Sequence, residues 1–180
     1  MTSMSITPLG EQDNDTRAKR PTQADERTMM MAFLAWHRET LRVKCVGLSL
    51  AQLTDRAVPR SALSLLGLVR HAAESESFWF RQVMAGQTPA VSTPTTPDGA
   101  FDVSRADTQV VDHAWKIWRA EVAFADRFVL AAPNLEITGN EPGEGPVSLR
   151  WVLMHMVEEY ARHNGHADLL REQIDGATGL

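Results

Sequence analysis

The stretch SLRWVLMHMVEEYARHNGHADLLR, residues 148–171, decides how this chain is read. Leu149, Val152, Met156, Glu159, His163, His166 and Leu170 follow one another at spacings of three and four, which sets them along one side of a helix. The ends of that seam are apolar, as packing against neighbouring helices requires, but its middle holds a carboxylate and two imidazoles. Such groups are costly to bury unless something pairs with them. Glu159 and His163 are four residues apart, so their side chains lie one turn from each other and can converge on a single cation, whereas Glu158 points roughly 100° away. Ser148 is the expected N-cap of this helix, which should end before Gly176.

Three further helical stretches precede it. The first should run over residues 24–46, with Met30, Phe33, Leu34, His37 and Leu41 on one stripe and Gly47 closing it. A second starts after Pro59 with Ser61 or Ser64 as cap, and buries Leu65, Leu68, Ala72, Phe78 and Trp79 before stopping at Gly86. The third, over residues 104–130, shows Val110, Ala114, Ile117, Glu121, Phe124 and Phe128 at helical spacing and is stopped by Pro133. Residues 88–99 carry Pro89, Pro94 and Pro97 among Ser and Thr, and read as a loop long enough to cross the end of the molecule and cover a pocket. No alternating run argues for a strand. Four long amphipathic helices with two long connections predict an all-α, four-helix-bundle fold.

Composition bounds the rest. The 180 residues suit one domain, over residues 24–180, preceded by a polar, turn-rich flexible tail over residues 1–23 that lacks the basic end and apolar run of a secretory signal. A 43% hydrophobic and 23% charged composition is ordinary for a globular protein, and no apolar run approaches the length of a membrane span. The net charge of −5, without a basic run interleaved with aromatics, argues against nucleic acid as a partner. Cys45, the single cysteine, cannot form an internal disulfide and has no nearby His or cationic helix start to activate it, so it reads as packing in a protein of the reducing cytoplasm.

His71 occupies a seam position on the second helix, between Leu68 and Phe78, and a neighbouring helix could bring it opposite Glu159 and His163. Two neutral imidazoles and one carboxylate would leave a divalent ion with a net charge near +1 and at least one position for water or substrate, a reactive rather than a closed structural site. Taken alone, the E-x-x-x-H pair is more often a structural ion pair. His166, three residues after His163, reads as a group that orients a ligand from behind, with a fourth ligand as the alternative. His37, His113 and His155 are single polar residues on amphipathic helices and read as satisfied side chains. Trp36, Trp79, Trp115, Trp118 and Trp151 read as core or interface packing, and such faces make a homodimer an expectation to test.

Ser64 to Phe80, SLLGLVRHAAESESFWF, together with the residue 148–171 stretch, resembles the DinB superfamily. The likeness spans roughly residues 24–176. It is similar above all to the branch of DinB-like domains related to mycothiol-dependent maleylpyruvate isomerase and other thiol S-transferases. By resemblance, the family's histidine of the second helix and its H-x-x-x-H or E-x-x-x-H pair fall on His71, Glu159 and His163, in the glutamate form. The ending His163-Asn164-Gly165-His166 resembles the family's H-x-G-Q or H-x-G-H, which leaves His166 as the variable position.

What this resemblance implies is zinc, or less often nickel or another divalent ion, beside a cleft where a mycothiol-like sulfur binds as thiolate. The leading functional reading is therefore a metal-dependent thiol S-transferase, with a low-molecular-weight thiol and a small electrophile as partners. A non-catalytic metal- or ligand-binding protein of stress or detoxification is the second reading. A structural bundle whose polar seam only sets helix alignment, with no ion, is the third.

Overall fold

Side-chain caps determine where the helices start. The structure, a computed structural model, describes residues 17–91 and 99–179. Asp25 accepts a hydrogen bond from the Thr28 backbone N–H at 3.0 Å and opens α1, Glu26–Cys45. Ser49 and Gln52 cap each other's backbone around α2, Leu50–Thr54, a short turn absent from the sequence reading. Ser64, rather than Ser61, caps α3, Leu65–Glu76, by accepting from the Gly67 N–H at 3.1 Å. The chain then passes without a break into a π-helical segment, Ser77–Met84. After a short 3₁₀ turn, Gly99–Phe101, helix α4 covers Thr108–Ala131 and α5 covers Leu149–Asp175. The start of α4 falls four residues later than expected because Asp102 accepts from both the backbone N–H and hydroxyl of Ser104, and Asp107 is the cap actually used. Ser148 caps α5 as expected, and Gly176, at φ 76°, closes it in the left-handed conformation.

The Gly and Pro cluster before α5 is not a plain loop. It forms an antiparallel hairpin, β1 (Thr138–Glu141) and β2 (Gly145–Ser148), with Thr138 opposite Ser148 and Glu141 opposite Gly145. This corrects the expectation of no strand. Four-residue strands are too short to show an alternating pattern, and here the turn is held by the Glu141 carboxylate accepting from the Gly143 and Glu144 N–H groups. Gly139 is required by its neighbour: a Cβ there would meet the Val83 carbonyl oxygen at 2.2 Å, where the hairpin backbone abuts the end of the π segment.

The chain is mainly helical, with α1 lying along α5, α3 along α4, and α3 also meeting α5 and α1. Leu34, Leu41, Leu65, Leu68, Phe80, Leu149, Leu153 and Met156 are almost fully buried between these helices. At roughly 1.5–3 kcal/mol for each such side chain, the apolar core outweighs any single polar contact. No helix among the described residues is long and apolar enough to cross a membrane. Of the segment expected as a tail, residues 1–16 lie outside the described residues. Within the rest of it, Arg17 is buried and donates to Thr40 Oγ1 at 2.9 Å, and Arg20 lies over the Trp36 ring at 4.0 Å.

Three expected stripes are shifted. On α5 the buried line runs Leu149, Val152, Leu153, Met156, Tyr160, Asn164, Ala167 and Leu170, so Glu159, His163 and His166 lie beside the core at its rim. On α4, Trp118, Ala125 and Val129 are buried with Ala114 and Glu121, while Ile117, Phe124 and Phe128 flank them. On the π segment Phe80 is buried and Phe78 and Trp79 are turned partly out. Steps of three and four are nearly equivalent on a helix, so adjacent candidates cannot be separated by spacing alone.

Polar groups close the centre. The Arg38 guanidinium donates to both oxygens of Glu76 at 2.7 Å and to Asp126 at 2.7 Å. Tyr160 Oη donates to Glu76 Oε1 at 2.9 Å, and the Trp118 indole N–H donates to Tyr160 Oη at 2.8 Å. One network thus joins α1, α3, α4 and α5. Burial, and next the Glu76 carboxylate, raise the Tyr160 phenol well above its ordinary range. Cys45 is also buried, and burial pushes its thiol up to about 12, as expected of an unreactive packing residue.

Candidate metal centre

The contact between α3 and α5 brings His71 to the pair on the last helix. His71 Nε2 lies 2.7 Å and His163 Nε2 lies 3.1 Å from the same atom, Glu159 Oε1, and the two imidazole centroids are 4.7 Å apart. Residues separated by 88 positions meet because α3 starts at Ser64 and α5 at Ser148, and the two helices touch. All three side chains are 18–28% exposed, which places the cluster in a wall that water can reach.

Electrostatics follow from this geometry. Hydrogen bonds from His163, and then from His71, hold the Glu159 carboxyl far below the usual carboxylate range, so it is ionised throughout the neutral range. As placed, each Nε2–H donates to Glu159, so Nδ1 of a neutral His163 is an acceptor. His166 Nδ1 stands 3.3 Å from it, on the ring side away from the carboxylate. Burial is the main reason the His166 imidazole is lowered below its ordinary value, followed by the proximity of His163.

One ligand atom from each of His71, Glu159 and His163 can be chosen so that all lie within 4.8 Å of one another. A tetrahedral ion with bonds of about 2.0–2.1 Å sets its ligand atoms about 3.3 Å apart, so the two short contacts need to open by well under an ångström to admit one. Two imidazole nitrogens and one carboxylate oxygen, with water on the open side, match the donor set of a reactive divalent site. The cluster therefore fits an ion.

The other expected residues go elsewhere. His155 lies one turn before Glu159, but its ring stacks on Trp151 and packs on Trp79. His37 packs edge-on against Trp36 and receives the Asn164 amide. His113 lines a cleft of about 710 Å³ that contains none of the three clustered residues. A smaller groove of about 330 Å³ does contain His71, and it shares Glu74 and Val91 with the larger cleft. Of the five tryptophans, Trp118 is buried as expected, whereas Trp151 is 42% exposed and Trp79 is only partly covered. Most of the loop expected to cover a pocket, residues 92–98, lies outside the described residues. Phe101, just beyond it, packs its ring 5.4 Å from that of His71.

Two features escaped the sequence reading. Glu74, three residues after His71, stands between the two cavities with its carboxyl raised, mainly by burial. Only the i,i+3 spacing from His71 hints at it. Arg81 forms a paired hydrogen bond to the buried Glu121 at 2.9 and 2.8 Å and ties the π segment to α4. Glu121 was visible as a polar residue on an apolar stripe; its partner was not.

No curated protein matches the chain. Among solved structures, a crystal structure of a conserved protein from Enterococcus faecalis is similar, at 16% identity and a TM-score of 0.67, over 86% of this chain and 100% of that one. At that identity the likeness speaks for the fold. The family model described as mycothiol-S-transferase matches residues 29–176, which take in His71, Glu159, His163 and His166. The chain therefore belongs to the mycothiol-S-transferase family, a DinB-like family.

Proposed function

We propose that this protein is a divalent-metal-dependent S-transferase of a low-molecular-weight thiol, of the mycothiol type, on a DinB-like four-helix bundle formed by residues 24–180. The observation that carries the reading is the convergence of His71 Nε2, Glu159 Oε1 and His163 Nε2 from two helices. These three residues hold the ion, zinc in the first place and nickel or another divalent ion otherwise. A bound divalent ion supplies the charge that keeps a thiol in its reactive thiolate form at neutral pH.

The chain's own groups prepare that state. Glu159 contributes one negative charge at every physiological pH, because its carboxyl is held so far down. Ligation through His163 Nε2 requires the ring proton to sit on Nδ1, and His166 Nδ1 is placed to accept it, which would fix the tautomer and orientation of the ligand. No protein nucleophile is needed, in keeping with the buried Cys45 as the single thiol. A reducing cytoplasm, where low-molecular-weight thiols are abundant, suits this chemistry.

Elemental analysis of protein purified without added metal tests the reading, together with thiol consumption in the presence of an electrophile. The expected result is close to one divalent ion per chain, lost in Glu159→Gln, with metal-dependent consumption of thiol. Wild-type protein that neither carries nor takes up an ion defeats the proposal. Metal without thiol consumption points to the non-catalytic, ligand- or metal-binding protein.

A further inference from the structure

The groove that ends at His71 is built from residues the metal cluster does not use. Its walls are Phe78, Trp79, Pro89 and Val91, with Gln82 also lining it. Among the described residues no Lys or Arg lines it, and the carboxyl that does, that of Glu74, is in surroundings that disfavour charge.

The π segment creates this surface. Ala85 N–H reaches back five residues to the Phe80 carbonyl at 3.1 Å, and the wider turn puts Phe80 in the core while Phe78 and Trp79 are left partly open. Such segments are uncommon and recur at functional sites. Phe78 and Trp79 pack against the core from its edge and keep part of their surface open. Trp79 packs against two other rings: its centroid is 4.7 Å from that of His155 and 5.1 Å from that of Trp151, and those two rings are parallel within 5°. A fixed indole lining a groove is a preorganised stacking surface that loses little entropy on binding.

We propose that this groove binds the electrophile and selects flat, uncharged aromatic or conjugated molecules, presenting their reactive carbon to the His71 end. The inference rests on the transferase reading for the word electrophile, but not for the binding site itself. About 330 Å³ suits one small molecule of that kind. Among the described residues no Lys or Arg offers an acidic electrophile a counter-charge inside the groove. For an aryl halide the reaction balances simply. The thiol proton goes to solvent, the sulfur electron pair forms the C–S bond, and the carbon–halogen pair leaves with the halide.

Calorimetric titration of the full chain with dinitrobenzene, an unreactive probe, tests the site. Initial rates of the metal-loaded protein with chlorodinitrobenzene and with iodoacetamide, at saturating thiol, test its use. Dinitrobenzene should bind wild type. Trp79→Ala should weaken binding about three- to tenfold, as expected for one stacking contact, and raise KM for chlorodinitrobenzene alike while leaving KM for iodoacetamide unchanged. Ser75→Phe, which fills the groove from a position that does not support the core, should abolish binding in a protein with wild-type helical content. The proposal is overturned if dinitrobenzene fails to bind wild type, binds both variants as well as wild type, or binds no better than dinitrobenzoate. Binding that follows the expected pattern without thiol consumption upholds the groove and removes the transferase reading instead.

Discussion

Two carboxylates sit on helices α3 and α5, and their surroundings make them opposites. Glu76 is fully buried, and its oxygens receive two hydrogen bonds from Arg38 and one from Tyr160. Glu159 is 22% exposed, and both of its imidazole partners converge on one oxygen. The first arrangement is closed, with a fixed cation inside the protein and no room for another. The second is open, with two imidazoles whose nitrogens can turn from donating a proton to donating a lone pair. The difference shows how the same ingredients, a carboxylate and nitrogen donors, build a clasp when dry and a cluster that could hold an ion when half wet.

Breaking the clasp should have the largest effect. Arg38→Ala leaves Glu76 buried without its cation, and unfolding in denaturant should show a loss of about 3–5 kcal/mol. Folded molecules of that variant should still bind metal. A loss below about 1 kcal/mol would contradict the view of the network as the structural member of the two.

A smaller change is expected for Tyr160→Phe, which removes the acceptor of the buried Trp118 N–H and one donor to Glu76. The expected cost is about 1–3 kcal/mol in the same measurement. Tyr160 is the chain's one tyrosine, so tyrosinate absorbance reports it alone. Its phenol is raised by burial, so the folded state favours the neutral ring. The stabilisation is complete below about pH 10, the unfolded value, and is lost as pH rises beyond it toward the folded value. Tyrosinate absorbance should therefore appear only with unfolding. A smooth titration near pH 10 in folded protein would show the phenol to be outside the clasp.

The smallest effect on folding is expected at the open site. In metal-stripped protein, Glu159→Gln should change stability by less than about 1 kcal/mol, because the contacts it removes are partly solvated. A loss as large as that of Arg38→Ala would make the cluster a second structural clasp.

Much of the helical outline was legible in sequence because it is local. Ser148, Gly176 and Ser64 act through their own neighbouring backbone groups, and those interactions need nothing from the rest of the chain. The same holds for the pairing of Glu159 with His163, one turn apart. The hairpin, α2 and the π segment were illegible for the complementary reason. Each is short; the hairpin and the π segment are held by particular contacts, as where Gly139 meets Val83, that leave no periodic trace, while α2 is a single turn whose one local signal is the pairing of Ser49 with Gln52.

The sequence by itself determined the four long helices, the caps at Ser148 and Gly176, and which residue types could hold an ion, since helical spacing and side-chain chemistry are properties of neighbours in the chain. Tertiary structure alone decided that His71 reaches Glu159, that Tyr160 rather than Glu159 lies in the core, and that Trp79 lines a groove. Steps of three and four around a helix differ by less than the width of a buried stripe. Which of two adjacent residues points inward is therefore settled by what the neighbouring helices present, and here Glu76 accepts from the Tyr160 hydroxyl while the Trp118 indole N–H donates to it.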